Sequence, residues 1–394
     1  MLTIIIKTRK MKAIDLFKNA LMLVILAGMT MGFAACSDSN DDPDPNQLDS
    51  KKTAIISQYV NAVVVPTYKS LADEANELAA LCQELRENPT QEGVQQCCDK
   101  WISARKYWEL SEAFLFGAAA DYNIDPHIDS WPLQKSQLDN ILNNSALIAA
   151  LDEDGASADA FATLGYGLLG FHAVEYVLFR DGAARNVDDI GEKELIYNAA
   201  VAQDLANQTV RLEAAWAGMD GITSAKRAQL EEFELVPAFN YGENMIDAGK
   251  AGNSLYKTQL AAMEQILTGA SDISDEVGNT KITDPVNSQN VLDVESWYSW
   301  NSIADFTDNI RSVRNIYYGT LDGNVSNNSM SAYVKGINAT LDNNVRSAID
   351  NAIKEVSSMP APFRNHLSKA ETQKAVDACN ALLDALDAAI EGLK

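Results

Sequence analysis

The sequence predicts an all-α protein. Alanine, leucine, aspartate, glutamate and asparagine dominate its 394 residues, and apolar residues recur at spacings of three and four, which gathers them on one face of a helix. No stretch sustains the alternation of apolar and polar residues that is typical of a half-buried strand. With 47% hydrophobic residues, a chain of this length has enough apolar material for two cores, so two helical domains are expected.

The first domain is expected to cover residues 50–185 as a bundle of the up-down four-helix type, because four amphipathic helices with short links pack in this way. Pro66 cannot donate a helical hydrogen bond and therefore predicts a kink in the first helix. The predicted elements are helices at 50–87 and 90–117, a loop at 117–132, a shorter helix, and a helix at about 158–180.

The second domain, residues 186–394, is expected to repeat this plan as a second bundle. Residues 270–288 are rich in Asp, Ser, Gly and Asn and are expected to separate two of its helices. The predicted helices lie at 188–218, 223–269 with a break around Pro237, 288–319, 327–358 and 361–392.

The N-terminal segment has the layout of a signal peptide. Basic residues precede an apolar run that ends at Ala35, and this run is shorter than the roughly 20 residues that a membrane-spanning helix needs. Residues 33–36 resemble a bacterial lipobox, so we expect cleavage of residues 1–35 and lipidation of Cys36. The predicted location is the cell envelope, as an outer-membrane lipoprotein that contacts the membrane only through its lipid anchor.

Residues 36–49 are expected to form a solvated acidic tether, since no apolar residue follows Cys36 until Leu48 and such a segment cannot bury anything. An acidic stretch directly after a lipidated cysteine also resembles the surface-export signal of Bacteroidetes lipoproteins. This resemblance predicts display on the outer leaflet. The alternative interpretation is a simple spacer.

The formal net charge of −24 argues against nucleic acid or an anionic membrane surface as a partner, because either would repel an acidic chain. Metal cations or basic ligands fit this charge better. The alternative is that the acidity only keeps an exported protein soluble.

Four cysteines remain after Cys36, and an exported protein is permitted disulfides. A helical hairpin that turns at Asn88-Pro89 would bring Cys82 level with Cys97, since each lies about two helical turns from the turn. A bridge from Cys82 to Cys97 or Cys98 is therefore expected.

The segment from Gly165 to Phe179 carries the most informative pattern. Three glycines, at positions 165, 167 and 170, are expected to open an apolar helix, although each costs about 1 kcal/mol of helix stability relative to alanine. Close approach of another helix or a ligand is the usual reason for such a cost. His172 and Glu175 stand three residues apart on one helical face and are suitable ligands for zinc, iron or manganese. The alternative is a buried pair that forms structural hydrogen bonds.

A second candidate group lies on the helix predicted at 90–117. An aromatic stripe there includes two charged residues, Arg105 and Glu112, which are expected to meet each other, a partner from another helix, or a ligand, because burial of an unpaired charge is costly. In the following loop, Asp129 precedes Trp131-Pro132 and could cap the next helix. A capping role is the alternative to a role in the site.

A polar stripe on the predicted 288–319 helix contains Asn301, Asp305, Asn309 and Ser312. Such a stripe usually faces water, but it could line a seam opposite His172 if two bundles pack together. His366 is expected at the surface. The sequence lacks the HExxH, GxSxG, P-loop and GxGxxG motifs, so the corresponding enzyme classes find no support.

Three segments together resemble the imelysin family: Gly170-x-His172-x-x-Glu175 in an apolar helix, residues 105–117, and Ile128-Asp129-Ser130-Trp131-Pro132. Their order and separation make the resemblance specific over most of residues 50–320. It implies two helical bundles with a site between them. The metal ligands that it implies are His172, Glu175, Glu112 and Asp129. The residues expected around them are Arg105, Trp108, Gly170, Trp131, Asn301, Asp305 and Asn309.

The family resemblance leaves three functions open. Binding of a metal ion, with iron favoured over zinc, or of a small ligand would serve metal uptake together with outer-membrane or periplasmic uptake components. A metal-dependent peptidase is the second interpretation, and a non-catalytic ligand-recognition or scaffold protein is the third.

Overall fold

The computed structural model describes residues 48–152, 161 and 164–394. These residues are mainly helical, which confirms the all-α prediction, and their only β-structure is an antiparallel ladder of β1 (Phe179–Arg180) and β2 (Ala183–Ala184). In the part of the chain that the structure describes, no helix is long and apolar enough to cross a membrane. The predicted signal peptide, the lipidation site Cys36 and the tether up to residue 47 lie outside the described residues.

The N-terminal half builds a layer of helices around α2, α3, α8 and α9. A π-helical turn, Val60–Val64, joins α1 to α2 where the kink at Pro66 was expected. The helices are α1 (Ser50–Tyr59), α2 (Val65–Glu87), α3 (Gln91–Glu109), α4 (Ala118–Asp121), α5 (Ile124–Ile128), α6 (Lys135–Asn143), α7 (Ser145–Leu151), α8 (Gly170–Leu178) and α9 (Glu192–Ala217).

Two predicted boundaries in this half are wrong. Helix α3 ends at Glu109 instead of continuing to residue 117, and Glu112–Phe114 forms a separate 3₁₀ turn. Of the three glycines, only Gly170 opens the helix, because Tyr166–Leu168 is a 3₁₀ turn that ends before α8 begins.

The C-terminal half is built around α12, α14, α16 and α17, which pack against one another. Its helices are α10 (Ser224–Glu232), α11 (Tyr241–Ile246), α12 (Gln259–Glu276), α13 (Thr283–Ser288), α14 (Ser302–Tyr318), α15 (Met330–Ile337), α16 (Ala339–Ser357) and α17 (Lys369–Leu393). Helix α14 packs on α3, and α12 packs on the Glu112–Phe114 turn, so these contacts join the two halves.

The sequence analysis misplaced several elements of this half. Residues 270–288 are helical, because α12 continues through a π-helical turn, Val277–Ile282, into α13 and buries apolar positions against α17. The predicted 223–269 helix is three shorter helices separated by loops. The helix expected from residue 288 begins only at Ser302, since the preceding segment contains left-handed residues.

The predicted division at residues 185 and 186 stays a prediction. Helix α9 follows that division in the chain, yet it packs most extensively against α2, and it also contacts α8. The helical group around α2 and α3 thus includes residues beyond 185.

The cysteines differ from the sequence expectation. Cys82, Cys97, Cys98 and Cys379 are buried free thiols, so the predicted bridge from Cys82 to Cys97 or Cys98 is wrong for this structure. The Cys98 thiol instead donates to the carbonyl oxygen of Leu178 over 3.6 Å.

Gly170 is held by close packing at the start of α8. Its φ is +72°, and a Cβ atom there would lie 2.0 Å from the carbonyl oxygen of Ile128. Gly165 has a similar φ of +74°, but a Cβ atom there would have no neighbour within 4 Å. Position 170 is therefore closed to any side chain by sterics as well as by backbone conformation.

We expect Gly170→Ala to destabilise the protein more than Gly165→Ala. The second variant introduces only the strain of a positive φ, about 1–3 kcal/mol. The first adds an overpacking cost of about 1–3 kcal/mol, because the backbone of Ile128 must move. Chemical denaturation of the two variants and the parent measures the difference. Equal midpoints for both variants would contradict the proposed contact.

Candidate functional site

The close contact at Gly170 places the end of α5 against the start of α8. The carbonyl group of Ile128 lies where a Cβ atom of Gly170 would be, and Asp129 follows Ile128 directly. The Asp129 carboxylate is thereby brought to the His172 imidazole, with Oδ1 at 3.1 Å from Nε2. A local glycine thus determines a contact between two residues 43 positions apart in the chain.

His172 is completely buried, and its two ring nitrogens have different surroundings. Nδ1 lies 3.1 Å from Oε2 of Glu175 and forms a hydrogen bond with it. Nε2 forms no hydrogen bond, although Asp129 is near, and the Trp131 ring lies against the imidazole at 4.6 Å between centroids. The expected pairing of His172 and Glu175 along one helical face is therefore present, and it is a buried hydrogen bond.

Glu175 also connects α8 to the segment that precedes α14. Its Oε1 atom accepts hydrogen bonds from the backbone nitrogen of Tyr298 (3.0 Å), and from the backbone nitrogen and Oγ of Ser299 (2.8 and 2.7 Å). Because Oε2 is engaged by His172, both carboxylate oxygens are occupied within the protein. This arrangement fixes the His172 ring and positions the segment that carries Glu295.

Arg105 is the central cation of the site. Its buried guanidinium pairs with Asp129, lies 2.5 Å from both Glu109 and Glu295, and places Nε 3.8 Å from Asp305. Trp108, one turn further along α3, donates from Nε1 to Asp129 Oδ2 over 2.7 Å. These contacts join α3 to the α5–α6 loop and to the α14 region.

Glu112 lies apart from Arg105, because the helix that would have aligned them ends at Glu109. Of the expected alternatives, Arg105 and Glu112 do not pair with each other, and each meets a charged partner from another segment instead. The nearest cation to Glu112 is Lys281, whose Nζ lies 3.9 Å away while it bonds both oxygens of Glu295 at 2.9 and 3.1 Å. Lys281 belongs to the π-helical turn between α12 and α13.

The polar stripe of α14 faces the interior, so the expectation that it faces water is wrong. Helix α14 packs on α3, and this contact buries Asp305, Asn309 and Ser312. Asp305 accepts from Ser296 Oγ (2.5 Å) and Asn301 Nδ2 (2.6 Å), while Asn309 Nδ2 donates to Glu109 Oε2 (2.5 Å). The alternative expectation, a seam near His172, matches this geometry.

A cavity of about 800 Å³ opens beside these residues. Its lining contains eight carboxylate side chains and one lysine, Lys281, a balance that attracts cations. The carboxylates are Glu112, Asp125, Asp129, Asp272, Glu276, Asp284, Asp293 and Glu295. The other two histidines lie elsewhere, His127 paired with Asp204 and His366 with Glu371 near the surface.

The electrostatics of the site follow from burial and pairing. Burial alone would lower the pKa of His172, but the adjacent carboxylates of Asp129 and Glu175 raise it to about 9. Burial would raise the pKa of Asp129, yet the Arg105 guanidinium holds it below its ordinary value. Burial raises the pKa of Glu112 well above its usual range, and Lys281 opposes this only in part.

Sequence reasoning did not single out Glu295 or Lys281 as site residues. Both reach Arg105 or Glu112 across large sequence separations, for which a single sequence carries no local signal. Glu109 was detectable in principle, since it stands four residues after Arg105 and must share its helical face.

The site contains two groups of three side chains whose potential metal-ligand atoms lie within 4.8 Å of one another. The first group is Asp129, His172 and Glu295. The second group is Glu109, Glu112 and Asp129. Imidazole nitrogen and carboxylate oxygen suit zinc, iron or manganese. Glu175, expected as a ligand from sequence, is in neither group.

Known proteins resemble the chain along most of its length. Iron-regulated protein A of Synechococcus elongatus is 25% identical over 350 residues, which cover 89% of this chain and 85% of that protein. A solved structure of an iron-regulated protein A precursor from Parabacteroides distasonis is 31% identical, with a TM-score of 0.76, and the match covers 91% of this chain and 98% of that one.

A solved imelysin-like protein from Psychrobacter arcticum shares the fold at 14% identity, with a TM-score of 0.62 and coverage of 87% of this chain and 94% of that one. The family model described as imelysin, of the peptidase M75 class, matches residues 64–389. That match spans both helical groups and every residue of the site described above. The chain therefore belongs to the imelysin family.

Proposed function

We propose that this chain binds a metal ion, with iron favoured, through Asp129, His172 and Glu295. The observation that carries the proposal is the buried His172 Nε2 atom, which forms no hydrogen bond and lies among carboxylate oxygens. A buried polar atom without a partner is costly, and a bound cation would remove that cost.

The arrangement around His172 is the one that metal-binding histidines use. A ligating imidazole usually donates its second N–H to a carboxylate, which fixes the ring and its tautomer. Glu175 occupies that position at Nδ1 and leaves Nε2 for the metal. Glu175 therefore acts as an orienting residue in this proposal, while Glu295 takes the ligand role that the sequence analysis gave to Glu175.

The surroundings of the ligands favour a cation that arrives from solvent. Asp129 and Glu295 line the acidic cavity, so the field along the cavity draws cations toward the ligands. Iron is favoured because mixed imidazole and carboxylate ligands suit it, and because relatives carry the name iron-regulated protein A. In this proposal the chain is an envelope lipoprotein, anchored through Cys36, that passes metal to uptake components of the outer membrane or periplasm.

The peptidase interpretation has weaker support at this site. A metallopeptidase needs a base that can activate metal-bound water. Glu175 is the carboxylate bonded to His172, and both of its oxygens already accept hydrogen bonds. Metal binding without hydrolysis is the function that these contacts favour.

Calorimetry with Fe²⁺ under anaerobic conditions, and with Zn²⁺ and Mn²⁺, tests the proposal. We expect the protein to bind at least one of these ions and His172→Ala to weaken that binding by more than about tenfold, because outer contacts to a metal site alone are worth about 10–100-fold in affinity. His366→Ala is the matched control, since His366 lies near the surface beside Glu371. Absence of binding, or equal binding by both variants, would contradict the proposal.

The metal-free protein should lose stability as the pH rises from about 6.5 to 9. The pKa of His172 is raised from 6.5 to about 9 on folding, so the protonated form stabilises the fold. This contribution is complete below about pH 6.5 and disappears as the pH passes 9. It is on the order of 3 kcal/mol for a fully buried group.

Thermal melts in a chelating buffer between pH 6 and 9.5 measure this effect. The raised pKa of Asp305, about 7 because of burial, acts in the same direction at the lower end of that range. We therefore compare with His172→Gln, whose melting temperature should depend less on pH between 7.5 and 9.5. An unchanged pH profile in this variant would refute the assignment of the effect to His172.

A further inference from the structure

We propose a second cation site beside the first, formed by Glu109, Glu112 and Asp129. Asp129 belongs to both groups, so the two cations would share it as a bridging carboxylate. This inference rests on the proposed function for the first cation. Glu109 and Glu112 support the second site independently of His172 and Glu295.

Glu112 is a nearly buried carboxylate beside the cavity. Glu112 is 8% exposed as a residue, lines the acidic cavity and forms no hydrogen bond through its carboxylate with the residues that the structure describes. The nearest cation is Lys281 at 3.9 Å, and that ammonium group is committed to both oxygens of Glu295. The carboxylate thus has one distant ammonium partner and faces the cavity, so it can accept a cation that enters from there.

Glu109 has one carboxylate oxygen without a hydrogen bond. It is fully buried, and its Oε1 atom lies 2.5 Å from the Arg105 guanidinium but lacks hydrogen-bonding geometry. Oε2 accepts from Asn309. One carboxylate oxygen of Glu109 thus remains available to a further donor or cation.

Carboxylates outnumber permanent cations at the site. Five buried or nearly buried carboxylates meet at the site, and among the described residues they contact only Arg105 and Lys281 as permanent cations. The carboxylates are Glu109, Glu112, Asp129, Glu295 and Asp305. One metal at His172 would reduce this excess of negative charge but would not reach Glu112.

The cavity gives solvent access to the second group of carboxylates, and close packing fixes the turn that carries Glu112. Glu112 and Asp129 line the acidic cavity, so a second ion can enter by the route of the first. Gly269 of α12 packs so closely that a Cβ atom there would lie 2.2 Å from the carbonyl oxygen of Ala113, which fixes the turn that carries Glu112. The ligand set contains only carboxylates, so it fits a hard cation such as Mn²⁺ or iron. Two-metal sites bridged by protein carboxylates are an established way to hold such ions in helical proteins.

Titration of the metal-free full chain with Mn²⁺ tests this inference, with bound metal counted by native mass spectrometry. We expect two ions per chain in the parent, one in Glu112→Gln and one in His172→Ala. Asp129→Asn should lower the affinity for both ions by more than about tenfold, because it removes one ligand from each ion. Asp284→Asn is the matched control, since Asp284 lines the cavity but belongs to neither group, and it should retain two ions.

The two proposals fail in different ways. If the parent binds one ion and His172→Ala loses it, the first site is supported and the second is overturned. If Glu112→Gln still binds two ions, the second site is overturned. Two ions in His172→Ala but one in Glu112→Gln would overturn the proposed function and leave the second site in place. A parent that binds no Mn²⁺ overturns the second site.

Magnetic coupling provides an independent readout of the shared carboxylate. Paramagnetic resonance of the fully loaded parent should lack the hyperfine pattern of an isolated Mn²⁺ ion, and that pattern should return in Glu112→Gln. Glu109→Gln is a second variant with the same expected result, in case Glu112→Gln folds poorly. An isolated-ion spectrum in the loaded parent would overturn the bridged arrangement.

Discussion

The buried Arg105 guanidinium is the constraint on which the rest of the site depends. It contacts carboxylates from α3, from the loop after α5, from the segment before α14 and from α14 itself. A charge in the interior is tolerated only with close partners, so each of these segments must return to one point. The cation thereby determines how the α3 side and the α14 side meet, and the acidic cavity forms beside that junction.

The sequence predicted the parts of the structure that local spacing controls. Helical periodicity located most of the long helices, and the three-residue spacing of His172 and Glu175 predicted their contact correctly. Residues 270–288 were misjudged because their polar composition resembles a linker, while the few apolar positions that bury against α17 decide the outcome. The composition of that segment favours a linker, but its packing against α17 makes it helical.

The site residues were predictable only where a local pattern or the family resemblance marks them. Arg105, Asp129 and His172 were identified, and the structure brings them together. Glu295 and Lys281 were missed because their partners stand far away in the chain, and no local pattern marks a carboxylate that will meet an arginine 190 residues earlier. The bonding of Glu175 to the Ser299 backbone likewise depends on a segment that the sequence analysis assigned to a regular helix.

The π-helical turn Val277–Ile282 has a consequence for how the site could change during evolution. A π turn accommodates one residue more than an α-helical turn of the same span, and such turns are frequent at functional sites. Loss of a single residue there would restore a regular helix and rotate Lys281 by about 100° relative to α12. Glu295 would then lose its ammonium partner while α12 and α13 kept their lengths. A one-codon deletion in this turn would thus change the charge balance of the cavity without shortening either helix.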